Sequence, residues 1–318
     1  MRETEYAYAV ARIRANEVSL LTDSDMNQLI SAEDYGSALR MLTGKGWAEP
    51  AGGDICEAEM NRAWELIRES VPRAELLEAL VIGNDFVNLK AAVKTVFSGI
   101  ETDDYFVYPS VCSPEKIGKA VRENDFSDLP PYLAETAYEA YHAVSGSQDG
   151  QSAEMIIDKA ALETALKSAE KAESELLVKI ASLACVTANI KIARRSAKTG
   201  KSEQFALDSM CDCGLTDNEK LVAAAFAGKE IGPLISDAGF PEISEEADGD
   251  FSALEMKCDN LITRWIQDAR YLVFGPDPVI AYYYAKTAET KNVRIILSAK
   301  SAGVPTEIIK QRVRYIYV

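Results

Sequence analysis

The 318 residues, 47% of them apolar, are enough to fill two or three globular domains, each with a core of its own. The 50 acidic against 34 basic residues give a net charge of −16, which opposes nucleic acid or anionic lipid as a partner except through a local basic patch. The start Met1-Arg2-Glu3-Thr4-Glu5 lacks the basic and apolar regions of a signal peptide, and no run approaches the roughly 18 apolar residues of a spanning helix.

A soluble, cytoplasmic chain is therefore the expectation. Its six cysteines (Cys56, Cys112, Cys185, Cys211, Cys213, Cys258) are scattered, which fits reduced and mostly structural thiols.

The elements come in three rounds. A helix start at Thr22-Asp23-Ser24-Asp25, a capping hydroxyl followed by first-turn acids, leads to a short helix around Tyr35 to Leu42 and a polar connector, Pro50 to Asp54. A long helix follows, in which Met60, Trp64, Ile67 and Val71 step by four, three and four, and then a last helix carrying Asn88-Leu89-Lys90 that closes near Gly99.

The second round has a start at Ser113-Pro114-Glu115, a short helix around Phe126 to Leu133, a connector from Ser145 to Ser152, a long helix with Met155, and Asn189-Ile190-Lys191 before Gly200. The third has Thr216-Asp217-Asn218-Glu219, Ile231 to Ala238, a connector from Glu242 to Asp250, Met256 in a long helix, and Asn292-Val293-Arg294 before Gly303. In that long helix Leu254, Cys258, Leu261, Trp265, Ala269 and Leu272 form the apolar stripe.

The three asparagines are 101 and 103 positions apart, so the chain reads as three copies of one unit, near 1–107, 108–211 and 212–318. Gly275-Pro276-Asp277-Pro278 interrupts the third copy, with Asp277 expected to cap and Pro278 to open the next helix. Strand signals are confined to Tyr105 to Val107 and Tyr315 to Val318, so the fold class is all α.

Motifs that carry chemistry fail one by one. Gly200-Lys201-Ser202 lacks the first glycine and the preceding strand of a phosphate-binding loop, and Gly44-Lys45-Gly46-Trp47 is a turn between helices. Cys211-Asp212-Cys213 needs two further ligands to hold zinc. One histidine, His142, provides neither a di-iron nor a metalloprotease helix, and no nucleophile elbow accompanies it. Asp103-Asp104 lacks the third aspartate of a magnesium–diphosphate clamp, and Glu170, Glu173 and Glu175 read as a solvated face. No catalytic residue, metal or cofactor is expected.

The opening Tyr6-Ala7-Tyr8-Ala9-Val10-Ala11-Arg12-Ile13-Arg14, with Leu20-Leu21, resembles the start of the C subunit of the rotary A/V-type ATPases, the counterpart of the eukaryotic d subunit. Phe274-Gly275-Pro276-Asp277-Pro278-Val279-Ile280-Ala281-Tyr282 resembles that family more closely. The pattern continues through Ala285-Lys286, Glu289, Asn292-Val293-Arg294, Gly303-Val304-Pro305, Glu307 and Arg312-Val313-Arg314. The likeness covers all three copies, strongest at the two ends and weakest across 100–180.

The resemblance implies a funnel of three similar helical domains about a pseudo-threefold axis. In that family the funnel sits on the membrane ring of proteolipid subunits, takes the central shaft of the catalytic head into its cavity, and transmits torque without catalysis of its own. The chain would then be peripheral to the membrane, through the complex.

From Val279 onward Lys286, Lys291, Arg294, Lys300, Lys310, Arg312 and Arg314 face only Glu289 and Glu307. This basic end is a candidate surface for acidic partner loops or headgroups, against the plainer reading of a basic helix terminus. In the triplets, Asn88, Asn189 and Asn292 are expected to bond a neighbouring helix, and Lys90, Lys191 and Arg294 to face an interface or cavity. The residues alone leave open a free-standing helical adaptor of another complex, with an all-α enzyme third.

Overall fold

A computed structural model describes residues 4–48, 53–99, 105–147 and 150–318. Residues 1–3, connector positions 50–52 and 148–149, and Asp103-Asp104 lie outside the described residues. The chain is all α, with no strand among the described residues.

Two compact units are present: one formed by residues 1–74 and 255–318, the other by 75–254. The first unit holds α1 (Ala7–Glu17), α2 (Asp23–Ser31), α3 (Tyr35–Gly44) and α4 (Ile55–Ser70), together with most of α14 (Phe251–Gln267), α15 (Asp277–Ser301) and α16 (Thr306–Lys310). Thr22 caps α2 through a reciprocal capping box with Asp25, and Asp34 and Asp54 cap α3 and α4. α15 packs along α4 and α1. Its Val293, Ile296 and Leu297 share one core with Leu21, Leu29, Leu42 and Trp47.

The second unit runs from α5 (Ala74–Ser98) through α6 (Pro114–Glu123), α7 (Pro131–Ser147), α8 (Gly150–Lys171), α9 (Glu175–Lys198), α10 (Glu203–Ser209), α11 (Asn218–Phe226), α12 (Gly232–Asp237) and α13 (Ser244–Ala247). Phe86, Leu89, Ala92 and Val93 of α5 pack with Ile117 and Val121 of α6, Leu133 and Val144 of α7, and Ile157 of α8. α9 lies against α8, α10 and α11. The same pairing thus occurs in both units: the helix that carries a triplet asparagine packs on shorter helices, α5 on α6, α9 on α10 and α11, and α15 on α1 and α3.

The helix stops fall where a left-handed residue is required. Gly99, Gly200 and Gly303 have φ of 70°, 69° and 67°, where an L side chain is strained. Elsewhere the sequence reading needs correction. Phe126 to Pro130 is a turn, and the helix expected there begins at Pro131 and runs to Ser147, because tandem prolines push the preceding residue out of the helical region while Pro131 fits the first turn. The third connector is itself helical, holding a 3-10 turn at Pro241–Ile243 and then α13. Asp277 is the first residue of α15 rather than its cap, which is Pro276.

α9 is the one helix among the described residues with the length and composition of a membrane span, at a mean hydropathy of 1.7. Half of that stretch is buried in the unit, and Asn189 lies within it at 0% exposure. Packing against α8, α10 and α11 accounts for its apolar character.

Candidate functional site: three asparagine clamps and a buried ionic cluster

Each triplet asparagine is fully buried and holds both main-chain groups of one residue downstream. Asn88 donates to Val107 O at 2.9 Å and accepts from Val107 N at 2.7 Å. Asn189 does the same with Cys211, at 3.0 and 3.1 Å, and Asn292 with Arg314, at 3.0 and 2.8 Å. The partner lies 19, 22 and 22 positions on. It belongs to an irregular segment and not to a helix. A side-chain amide offers one donor and one acceptor at the spacing of a peptide edge, so it completes a segment that has no neighbouring strand. This accounts for the strand signals at Tyr105 to Val107 and Tyr315 to Val318: the first includes the clamped Val107, and the second directly follows the clamped Arg314.

Three residues before the asparagine, two of the copies carry a buried acid. Asp85 accepts Val111 N and Cys112 N at 2.9 Å each, and the Tyr132 hydroxyl at 2.5 Å. Glu289 accepts Leu21 N at 2.6 Å. Cys112 and Leu21 immediately precede the caps of α6 and α2, so each acid fixes the entry to a helix. The second copy has Val186 there; instead Asn189 reaches Asn218 at 3.1 Å, in the first turn of α11.

Burial pushes the Asp85 carboxyl above its usual range, outweighing the hydrogen bonds it receives. A folded-state value above the unfolded one means that the folded form holds the proton at pH values where the unfolded form has lost it. Asp85 therefore contributes stability that is present at low pH and lost as pH rises through its raised value. Urea unfolding from about pH 4 to about pH 8 is expected to show this fall in the wild type relative to Asp85→Asn, which has no proton to lose; parallel curves would refute it.

The triplet bases are engaged within the chain. Lys90 pairs with Asp158 on α8, and Arg294 holds Asp54, the cap of α4, through Nε at 3.1 Å and Nη2 at 2.7 Å. Burial raises the Asp54 carboxyl, but the Cys56 N–H and Arg294 outweigh it and hold it below its usual range. Lys191, half-buried on α9, is engaged too. The basic C-terminal stretch is largely consumed in the same way. Lys291 and Arg314 share Asp259 at 2.6 and 3.0 Å, Lys300 reaches the carbonyls that end α2, and Lys310 pairs with Glu307 at 2.9 Å. Arg312 is exposed, with no ion pair among the described residues.

Sequence reasoning missed a buried cluster in the first unit. Lys286, 1% exposed, donates to Glu59 Oε1 and Glu289 Oε1 at 2.7 Å each. Arg62 also meets Glu59 Oε1, at 2.8 Å, and the Lys286 ammonium lies 5.7 Å from the Trp47 ring centroid. Burial pushes the Glu289 carboxyl above its usual range despite Lys286. The one signal in the sequence was Lys286 and Glu289, a turn apart in the buried heart of α15.

A cleft of about 400 Å³ between α5, α7 and α8 gathers Glu78, Glu135, Glu139 and Glu163 with Lys167 and Lys171. Glu163 is partly committed to Asp212 N at 3.1 Å. His142 stands instead against Tyr138, ring centroids 4.3 Å apart. Among the described residues no three carboxylates, thiols or imidazoles are placed to hold a metal ion. Gly200-Lys201-Ser202 is a helix junction: Ser202 caps α10 and Lys201 reaches Gln151 at 2.9 Å. Lys45 pairs with Asp25 at 2.6 Å. Hydrogen bonding with Cys185, together with burial, pushes the Cys211 thiol up to about 12, that of an inert thiol.

Comparison with known proteins gives a consistent answer over the whole length. The sequence is 23% identical to the C subunit of the V-type sodium ATPase of Enterococcus hirae, covering 98% of this chain and 99% of that protein. It is 21% identical to the C subunit of the A-type ATP synthase of Thermococcus kodakarensis, covering 97% and 90%, and 23% identical to that of a Desulfurococcus species over the same shares. The family described as ATP synthase (C/AC39) subunit matches residues 9–312, a span that includes all three asparagines and the buried cluster. The chain thus belongs to the C/AC39 family of V- and A-type ATPase subunits.

Proposed function

We propose that this chain is the central-stalk rotor subunit that couples the shaft of a V/A-type proton- or sodium-translocating ATPase to its membrane proteolipid ring, without an active site of its own. The observation that carries the reading is the threefold recurrence of one clamp within a chain matched to the family from end to end. A part that transmits torque has to resist shear between its modules. Each clamp fixes the segment that leaves a closing helix, while Asp85 and Glu289 fix the residue that enters an opening one.

In this proposal the three copies, near 1–107, 108–211 and 212–318, form similar modules about a pseudo-threefold axis, leaving a cavity for the shaft. The partners are shaft subunits and proteolipid ring, not nucleic acid, and the chain is held at the cytoplasmic face through the complex. Arg312 is the C-terminal cation without an ion pair among the described residues and so the one open to a partner, since Lys310 is held by Glu307 and Arg314 by Asp259.

The test is reconstitution of the complex with and without this chain. Without it, the head should hydrolyse ATP and no ion should cross the membrane, and adding the chain should restore transport. Transport that does not depend on the chain, or a chain that binds neither shaft nor ring, would refute the proposal.

A further inference from the structure

The cleft between α5, α7 and α8 is lined by two like-charge pairs of opposite sign. Glu135 and Glu139 stand four residues apart on α7, and Lys167 and Lys171 four apart on α8; all four are exposed. Like charges at that spacing share a helix face and repel. Neither pair is relieved within the chain, since none of the four forms an ion pair among the described residues, along its helix or across the cleft. Lys167 even has Glu163 four positions before it, the favourable order for a pair, yet Glu163 turns to Asp212 N. Elsewhere Arg14 with Glu17 and Arg68 with Glu65 do close such pairs along a helix. Glu78 of α5 adds a third carboxylate without an ion pair among the described residues.

The buried part of the lining supplies hydroxyls that lack a partner. Thr136 and Ser168 line the cleft, and each is only 7% exposed. Hydroxyls inside helices ordinarily turn back to a carbonyl four residues earlier, as Ser70, Thr95 and Ser209 do at 2.6, 2.8 and 2.6 Å. Those of Thr136 and Ser168 have no hydrogen-bond partner among the described residues, and neither is sealed, so the little surface each keeps opens on the cleft. A buried hydroxyl without a partner is costly, so these two call for one from outside the chain.

Charge of both signs selects the ligand. A simple cation meets the glutamates but also the lysines, and a simple anion the reverse, whereas a molecule with an ammonium at one end and a carboxylate at the other relieves both pairs at once. The cleft volume, about 400 Å³, falls in the small-ligand range of ~300–1,000 Å³.

We propose that this cleft binds a small zwitterion of the amino-acid and short-peptide class. Its ammonium lies against Glu78, Glu135 and Glu139, its carboxylate against Lys167 and Lys171, and its remaining polar atoms on the Thr136 and Ser168 hydroxyls. The inference is independent of the coupling role above.

The experiment titrates the full-length chain calorimetrically with glutamine, glycylglycine and alanylglutamine, and with putrescine and succinate as ligands of one charge sign. At least one zwitterion should bind with a Kd of about 1 mM or tighter, and both controls about tenfold more weakly or worse. Glu135→Gln/Glu139→Gln and Lys167→Gln/Lys171→Gln should each weaken the zwitterion about tenfold, and Thr136→Val severalfold. Urea midpoints of the two charge variants should not fall below wild type, because each removes a repulsion. Where a variant does lose stability, its single substitutions replace it, and Ser168→Ala replaces Thr136→Val.

No zwitterion bound at about 10 mM overturns the inference. Putrescine bound as tightly as the zwitterions, with loss in the glutamate variant alone, overturns it in favour of a simple cation site. Binding that survives both charge variants lies elsewhere on the chain and overturns it too.

Discussion

Replacing Lys286 with methionine is expected to destabilise the unit built from the two chain ends by about 3 to 5 kcal/mol, the scale found when one partner of a buried ion pair is removed. The ammonium is the group through which Glu59 and Glu289 meet, and both carboxylates are buried, at 0% and 3% exposure. Arg62 remains for Glu59, but it is half exposed and reaches an oxygen that Lys286 also uses. Glu289 keeps only the Leu21 N–H. The loss should therefore be recovered in part by Glu289→Gln, which still accepts from Leu21 N but no longer buries an unpaired charge, and further by adding Glu59→Gln. Urea unfolding of the wild type and these three variants, read beside amide exchange in α4 and α15, separates this from a general loss of packing. A Lys286→Met cost below about 1 kcal/mol, or no recovery in the multiple variants, would show that the cluster does not hold the chain ends together.

Local chemistry was legible in the sequence, and long-range partners were not. Thr22, Ser113 and the Thr216-Asp217 pair announce helix starts because capping needs a short side-chain oxygen next to the first turn, although Asp217 and not Thr216 takes the cap of α11. Gly99, Gly200 and Gly303 announce stops because the left-handed region excludes a Cβ. The asparagine triplets stand out in the sequence, but the role of each asparagine depends on a segment 19 or 22 residues away. A mid-helix asparagine looks the same whether it meets a helix or an unpaired backbone edge. The partners of the basic C-terminal stretch were not legible for a related reason. Asp54 and Asp259, which neutralise Arg294 and Arg314, are brought to α15 and the C-terminal segment by the fold and not by sequence order. Glu59 carried no warning, since a glutamate on an amphipathic helix is ordinarily solvated and this one is buried by α15 packing along α4.

The clamps give the second large effect. Asn292→Ala removes the donor to Arg314 O and the acceptor for Arg314 N together. With roughly 1 to 3 kcal/mol for each backbone group left unsatisfied, and some relief from water at the partly buried Arg314, a loss of about 2 to 4 kcal/mol is expected. Asn292→Asp separates hydrogen bonding from packing, because it keeps the shape and the acceptor but sets a carboxylate oxygen against the Arg314 carbonyl. Protonation turns that oxygen into a donor, so the introduced carboxyl should have a folded value above its unfolded one. Stability of the aspartate variant is then greatest below the ordinary carboxylate range and lost as pH rises through the raised value, whereas the alanine variant has no such dependence. Amide exchange at Arg314, faster in both variants at neutral pH and slowed again in acid only for aspartate after correction for intrinsic rates, would identify the clamp as the cause. The same changes at Asn88 act on Val107 in the other unit and share no partner with Asn292, so the two losses should add. If instead Asn88→Ala altered the exchange of Arg314, the clamps would be coupled through the body of the protein.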